Sequence, residues 1–161
     1  MDCATTRALL ILAIFIGAAA WAPAGNATPP GDACALLTPA QVGAALVAPV
    51  AAGTYVTPTF KKTCTWQSTK EGGGYVTLML QDAGNFQSGK QLPAMAANAK
   101  MFVTSISGVG DDAYYLAVGD QVGLIVKKGN IAFKVAVYEH IPVESKQAKE
   151  KTLAQQVVSN L

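Results

Sequence analysis

Apolar residues in the second half of the chain cluster in short runs, which predict strands there. Val, Ile, Phe and Tyr recur in four runs, as is typical of strands. Gly119-Asp120 and Gly129-Asn130 each separate two of these runs, and two-residue gaps of this kind are typical of hairpin turns. Residues 112–138 are therefore predicted to form an antiparallel meander. The last strand has one apolar face, made of Ile131, Phe133, Val135 and Val137.

An earlier stretch, residues 54–82, predicts a strand, a loop, a second strand, a glycine-rich turn and a third strand. Val76, Leu78 and Leu80 occupy alternate positions in the last part, which is the period of a half-buried strand. The three glycines at 72–74 are too few for a phosphate-binding loop. We expect them to form a flexible hairpin tip.

Two helices are predicted in the first hundred residues. The first, near residues 38–47, begins with Thr38 and Gln41 in positions that suit a capping box. The second, near residues 88–99, has apolar residues on one stripe, and Pro93 shortens it or marks its first turn.

A third helix, over residues 143–160, is predicted by an apolar stripe at helical spacing opposite a lysine-rich face. Lys146 and Glu150 form an i,i+4 pair. We interpret the pair as part of the solvated outer face of a helix that packs on a sheet. Together the elements predict one α+β domain, an antiparallel sheet of about six or seven strands with helices packed on it.

The N-terminus has the layout of a secretory signal peptide. Arg7 gives a weakly positive start, residues 8–20 are uninterruptedly apolar, and small residues follow. The apolar run is shorter than the roughly 20 residues of a membrane span, although an uncleaved anchor is the alternative. We expect residues 1–27 to be a signal peptide. Residues 28–161 are then a single exported domain, periplasmic or extracellular and peripheral to a membrane at most.

Export changes how the cysteines are interpreted. In an oxidising compartment, Cys34 and Cys64 most simply form one disulfide. A metal pair or a redox dithiol is the alternative, and either would favour C-x-x-C spacing or a nearby histidine.

The charge balance narrows the choice of partners. The chain has 12 basic and 10 acidic residues, a net charge of +2, and Arg7 is its one arginine. Arginine is the preferred bidentate reader of phosphate and guanine. We therefore expect neither a nucleic-acid partner nor a membrane-surface partner.

Residues 105–119 come nearest to a functional signature. Gly108, Gly110 and Ala113 spell G-x-G-x-x-A, one form of the dinucleotide-binding fingerprint. That fingerprint needs a helix after the glycines and an acid about 20 residues further on. The residues that follow are strand-like, and positions 127–129 hold no acid. We predict a turn between strands, and no cofactor.

Asp111 and Asp112 lie in the same turn. A calcium loop of the EF-hand type needs about five oxygen ligands, and here only Asp120 and backbone groups are near in sequence. Glycine permits unusual backbone angles, and aspartate hydrogen-bonds its own backbone. We predict two turn residues and no metal site.

The residue types for catalysis are sparse. His140 is the chain's one histidine, so a multi-histidine zinc site is excluded and a Ser-His-acid triad would have to use it. Glu71, Asp82, Glu139 and Glu144 supply carboxylates for glycoside chemistry, but no spacing supports such a pair. We predict that the protein is not an enzyme, and a hydrolase that uses His140 is kept as an alternative.

Three short stretches together carry a resemblance: DACALLTPAQV at 32–42, CTW at 64–66 and GVGDDAYY at 108–115. They resemble a family of small exported actinobacterial lipoproteins of unknown function, over residues 32–161. The resemblance implies a bridge between the two cysteines and an antiparallel sheet flanked by helices, loosely similar to the PsbP-type α+β sandwich. It supplies no catalytic residue, and this chain lacks the cysteine that follows the apolar run in a lipoprotein.

These observations favour an exported, non-enzymatic domain that binds a protein partner at the cell envelope. A carrier of a small apolar ligand, held in a pocket between helices and sheet, is the alternative. Several aromatic residues are candidates to line that pocket, although ordinary core packing is the favoured explanation for them. They are Tyr55, Trp66, Tyr75, Tyr114, Tyr115 and Phe133.

Overall fold

A computed structural model describes residues 31–92 and 101–161 of the chain. The predicted signal peptide lies outside the described residues. So does the predicted second helix from residue 93 onward. Residues 88–92, where that helix is predicted to begin, form turns, and the N–H groups of Gln91 and Leu92 both donate to the Ser88 carbonyl.

Seven strands form one antiparallel sheet, which confirms the predicted fold class. They are β1 (Thr54–Tyr55), β2 (Thr63–Gln67), β3 (Tyr75–Asp82), β4 (Met101–Ile106), β5 (Asp112–Val118), β6 (Gln121–Lys128) and β7 (Ile131–Tyr138). Their order across the sheet is β1-β2-β3-β7-β6-β5-β4. Both predicted two-residue turns are confirmed, because Val118 pairs with Gln121 and Lys128 pairs with Ile131.

Two helices accompany the sheet in the described part of the chain. Helix α1 (Pro39–Leu46) begins at the predicted capping box: the Gln41 N–H donates to Thr38 Oγ1 at 3.2 Å, and the Thr38 N–H donates to Gln41 Oε1 at 2.8 Å. It ends at Val47, whose φ of 55° lies in the left-handed region. Helix α2 (Val143–Ser159) closes the chain. Within the described residues, neither helix has the length and apolar character needed to cross a bilayer.

The core lies between one face of the sheet and the helices. Helix α2 packs on β6 and β7, and α1 packs on α2. Every second residue of β3 and β7 points into this layer, as the alternation predicts. Burial of such side chains contributes roughly 25 cal/mol for each Å² of apolar surface removed from water. The largest apolar side chains that are fully buried are Trp66, Phe133, Leu78, Leu124 and Leu153.

A disulfide between Cys34 and Cys64 joins the turn before α1 to β2, which confirms the predicted bridge. The chain passes close over this bond at Gly53. A Cβ on Gly53 would lie 2.6 Å from Cys64 Sγ and 2.7 Å from Trp66 Nε1. The disulfide thus holds the start of α1 to the sheet. Position 53 requires glycine because any side chain there would collide with the bond and with Trp66.

The predicted solvated position of Lys146 and Glu150 is wrong. The two residues are 3% and 0% exposed. Positions 146, 150, 153 and 157 follow one another at helical spacing, so the pair continues the apolar stripe that faces the sheet. The i,i+4 rule described their separation correctly but not the side of the helix on which they lie.

Candidate functional site

Four chain segments border an open groove at one end of the sheet. They are residues 46–48 at the end of α1, the β2–β3 hairpin tip at 70–75, residues 120–121 at the start of β6, and the β7–α2 connection at 138–142. Lys146 of α2 adds to the same lining. The groove has a volume of about 1040 Å³, at the upper end of the range typical of ligand sites.

A pair of stacked tyrosines forms one wall of the groove. Tyr75 and Tyr138 are direct partners on the neighbouring strands β3 and β7. Their ring centroids are 4.4 Å apart with an interplanar angle of 13°. Both side chains are half-buried, so this wall offers apolar ring surface next to two phenolic hydroxyls.

The glycine-rich hairpin forms the adjacent wall, and its predicted role as a hairpin tip is confirmed. Gly72 has a φ of 68°, the left-handed conformation that favours glycine. A Cβ on Gly74 would collide with the Tyr138 carbonyl and with the Glu139 side chain. The absence of side chains here brings hairpin backbone against the end of β7, and within the hairpin the Gly73 N–H donates to the Lys70 carbonyl at 2.9 Å.

Charged groups of both signs line the groove. Glu139 pairs with Lys149 at 2.6 Å, just behind the lining. The buried Lys146 ammonium donates to the Asp120 carbonyl at 2.8 Å and so ties α2 to the start of β6. Three exposed groups stand at the rim, namely Lys70, Glu71 and His140.

The carboxylate of Glu150 is buried one helical turn after Lys146, on the same side of α2. Glu150 is fully buried, and its Oε1 accepts a hydrogen bond from the Val137 N–H at 3.0 Å. Within the described residues its Oε2 has no hydrogen-bond partner. Burial raises the pKa of Glu150 from 4.5 to about 7, opposed by the Val137 hydrogen bond and by the charges of Lys134 and Lys146.

The structure separates the aromatic residues proposed for an apolar pocket. Tyr75 borders the groove, whereas Trp66 and Phe133 are packed in the core. The Tyr115 hydroxyl donates to the Gln147 carbonyl at 2.7 Å, and burial raises the pKa of Tyr115 to about 12. The remaining two lie elsewhere: Tyr55 donates to the carboxylate of Asp32 at 2.9 Å, and the Tyr114 ring tilts against Phe86.

The candidate acids are also divided. Glu71, Glu139 and His140 share the groove lining. Asp82 lies at the opposite end of the sheet, where it pairs with Ile131, and Glu144 lies in the first turn of α2. No serine, threonine or cysteine is among the described residues that line the groove, so none of these nucleophiles lies beside His140 there. The hydrolase alternative stays a prediction.

The glycine–aspartate stretch is a turn, as predicted. It connects β4 to β5, which pair as antiparallel neighbours. Asp111 accepts the Gly129 N–H at 2.6 Å and the Lys128 ammonium at 3.1 Å, and these contacts lower the pKa of Asp111. Asp112 accepts the Ser88 hydroxyl at 2.7 Å. In the described ranges, no three His, Cys, Asp or Glu side chains are grouped so that they would hold a metal ion.

The sequence did not predict Tyr138 or Lys146 as residues of a functional site, although both line the groove. Tyr138 ends a strand, and only the register of β3 against β7 reveals that it faces Tyr75. Lys146 has the spacing of the buried stripe, a signal that its residue type obscures. A helical plot that ignored residue type would have placed Lys146 toward the sheet.

No family model matches the sequence, and neither a curated protein nor a solved structure matches the chain. The resemblance of residues 32–161 to exported actinobacterial lipoproteins stays an expectation from the sequence.

Proposed function

We propose that this chain is an exported, non-enzymatic binding domain whose groove receives a segment of a protein partner at the cell envelope. The observation that carries the proposal is the composition of the groove. Ring surface and charges of both signs lie together around about 1040 Å³ of open space. These are the contact types that protein–protein interfaces use.

The lining suits a polypeptide segment better than a small apolar molecule. The stacked rings of Tyr75 and Tyr138 offer a surface for an apolar or aromatic side chain. Lys70 and Glu71 offer opposite charges on one rim. A purely apolar ligand would leave those polar groups without partners as it displaced their water.

Export is supported by the covalent bond in the scaffold. Disulfides persist in oxidising compartments and are rare in reducing ones. The bond between Cys34 and Cys64 ties α1, whose last residues border the groove, to the sheet. A binding domain outside the cell gains a rigid groove wall from this arrangement.

Site-specific photo-crosslinking tests the proposal. A photoreactive phenylalanine analogue replaces Glu71 at the groove rim or, as a matched control, Asp82 at the opposite end of the sheet. Both positions are acidic and exposed. In the envelope fraction of the producing cells, we expect one protein to be captured from position 71 and not from position 82.

A second pair of variants ties the capture to the groove. Tyr138→Ala removes one of the two stacked rings. Phe102→Ala is the control and removes a ring on β4 that is 71% exposed. We expect capture to fall about tenfold or more in the first variant and to stay unchanged in the second, since aromatic anchors commonly contribute above 1 kcal/mol. Equal capture from positions 71 and 82, or indifference to Tyr138→Ala, contradicts the proposal. A co-purifying apolar molecule in native mass spectrometry would favour the carrier instead.

A further inference from the structure

We propose that Glu150 is a proton-operated switch for the groove, in which the Lys146 ammonium binds the Asp120 carbonyl when Glu150 is protonated and the Glu150 carboxylate when it is not. As a way of regulating binding, the switch rests on the function proposed above. As an event within the protein, it is observable without a partner.

The switch begins with a gap between two strands. The pairing of β6 with β7 ends at Leu124 and Val135. Continued in the same register, the ladder would bring Val122 opposite Val137 and give the Val137 N–H a backbone acceptor on β6. Instead this N–H donates to Glu150 Oε1 at 3.0 Å. The Glu150 side chain of α2 thus takes the place of a β6 carbonyl as the acceptor, close to the residues of β6 and β7 that border the groove.

The second carboxylate oxygen makes the site sensitive to protons. Glu150 Oε2 is buried and has no hydrogen-bond partner among the described residues. A negative charge there is costly because burial removes it from bulk solvent and no donor of the described residues reaches it, and a proton removes that cost. Burial accordingly raises the pKa of Glu150 to about 7.

Two ionisable groups lie beside Glu150 on the helix side of the sheet, Lys146 on α2 and Tyr115 on β5. Lys134 on β7 alternates with the buried Phe133 and Val135, so it lies on the other face and acts on Glu150 only through its charge. The pKa of Tyr115 is raised to about 12, so this phenol stays neutral near pH 7. The proton on Glu150 therefore sets the charge next to Lys146 near neutral pH.

Lys146 links Glu150 to the groove. It precedes Glu150 by one helical turn on the same side of α2, and its ammonium donates to the Asp120 carbonyl at 2.8 Å. An ionised Glu150 offers the same ammonium a charged acceptor, which makes a stronger hydrogen bond than a neutral carbonyl does. Transfer of Lys146 to Glu150 releases Asp120 and Gln121, and both of these residues border the groove.

The direction follows from the observed geometry. With Lys146 on Asp120, the start of β6 is held as one wall of the groove. We expect this wall to be ordered at acidic pH and loosened as pH rises through about 7. A ligand that needs the wall is held at acidic pH and released at alkaline pH.

Nuclear magnetic resonance of the protein alone tests the switch. The Glu150 carboxyl carbon and the amides of Gln121 and Val137 are followed between about pH 5 and pH 9, the range that brackets neutral-pH titration. We expect all three signals to share one midpoint near 7. Glu150→Gln keeps an acceptor for the Val137 N–H and carries no charge, so the transition at both amides should vanish. His140→Gln is the matched control, because it also introduces glutamine near Gln121 in the groove and leaves Glu150 in place.

The outcomes separate cleanly. A Gln121 transition that persists in Glu150→Gln, or disappears in His140→Gln, overturns the switch. Should Glu150→Gln fail to fold, the wild type decides: coincident midpoints for the Glu150 carboxyl and the Gln121 amide support the switch, and distinct midpoints overturn it. No partner enters these measurements, so their failure leaves the groove as a binding site, and failed crosslinking leaves the switch intact.

Discussion

The two ends of the sheet combine glycines with charged residues in opposite ways. Where β4 turns into β5, both carboxylate oxygens of Asp111 have partners, the Gly129 N–H and the Lys128 ammonium. At the other end, the glycines at 72–74 sit beside the exposed Glu71 and border about 1040 Å³ of open space. The acid at one end is used in the chain's own reversal, and the acid at the other end is exposed beside the groove.

This contrast separates a motif from a site. The stretch that contains Gly108 and Gly110 is contiguous and resembles a fingerprint, yet its local hydrogen bonds account for its residues. The groove has no contiguous signature because its walls come from residues 46–48, 70–75 and 138–142. A glycine–acid sequence therefore indicates a binding site only if its polar groups are not already hydrogen-bonded within the chain.

The largest expected effect tests what holds the groove end together. Replacing Cys34 and Cys64 by serine should lower the free energy of unfolding by about 3–4 kcal/mol, because the loop closed by the bond spans 30 residues. Urea unfolding measures the loss. Amide hydrogen exchange should accelerate in α1, which borders the groove, before it does so at the β4–β5 turn. Equal acceleration at both ends would show that the bond stabilises the whole sheet and not one wall.

The next effect is a pH dependence that belongs to the groove end. The pKa of Glu150 is raised from 4.5 to about 7 in the folded protein. The resulting stabilisation is complete below about pH 4.5 and is lost as pH rises through about 7, a difference of roughly 3 kcal/mol. Urea unfolding at a series of pH values measures it. Glu150→Gln should flatten the dependence, and a variant that retains the full slope would place its source elsewhere.

Much of the fold follows from local rules that the sequence displays. Thr38 and Gln41 form their capping box because both partners are within one helical turn. Strand alternation in β3 and the two-residue turns around β6 are equally local. Each depends on neighbours two to four positions away, so pattern alone predicts it.

The groove and the buried pair depend on long-range geometry. Tyr75 and Tyr138 meet only because β3 and β7 are adjacent in this register. Glu150 accepts the Val137 N–H because the pairing of β6 with β7 ends at Leu124, and no spacing in the chain signals that end. Because Lys146 and Glu150 are charged, the sequence predicted that they face solvent. In the structure the buried Glu150 carboxylate instead supplies the Val137 N–H with the acceptor that β6 does not.

A smaller effect isolates the turn end. Gly108 and Gly110 have φ angles of 81° and 61°, so alanine is strained at either position. A Cβ at Gly110 would also lie 2.5 Å from the Lys127 carbonyl oxygen, whereas nothing lies within 4 Å of one at Gly108. We expect Gly108→Ala to cost about 1 kcal/mol and Gly110→Ala about 2–3 kcal/mol in thermal or urea unfolding.

The same two variants bear on the comparison between the ends. Amide chemical shifts at 72–74 and at Tyr138 should be unchanged in both, because the strain is confined to the opposite end of the sheet. Shifts that move at the groove would mean that the two ends are mechanically coupled through β6 and β7. Equal costs for the two alanines would mean that φ strain alone, and not the close approach to Lys127, requires glycine at Gly110.

The smallest expected effect on stability is that of Asp111→Asn, a change to one of the two aspartates in the glycine–aspartate turn. Hydrogen bonds from Gly129 and Lys128 lower the pKa of Asp111, so its stabilisation is present above its ordinary pKa of 3.8 and is lost as pH falls through the lowered value. Because the Asp111 side chain is 48% exposed, solvent screens the interaction, and Asp111→Asn should cost less than about 0.5 kcal/mol at neutral pH. Glu71→Gln removes the same charge from the groove rim and should not change stability measurably, yet it should weaken partner capture by a photoreactive residue placed at the neighbouring rim position Lys70. The pair therefore tests the contrast directly: an acid committed to a turn changes stability slightly and binding not at all, and an acid presented at a groove does the reverse. Asp111→Asn that impairs capture would give the turn a role beyond chain reversal.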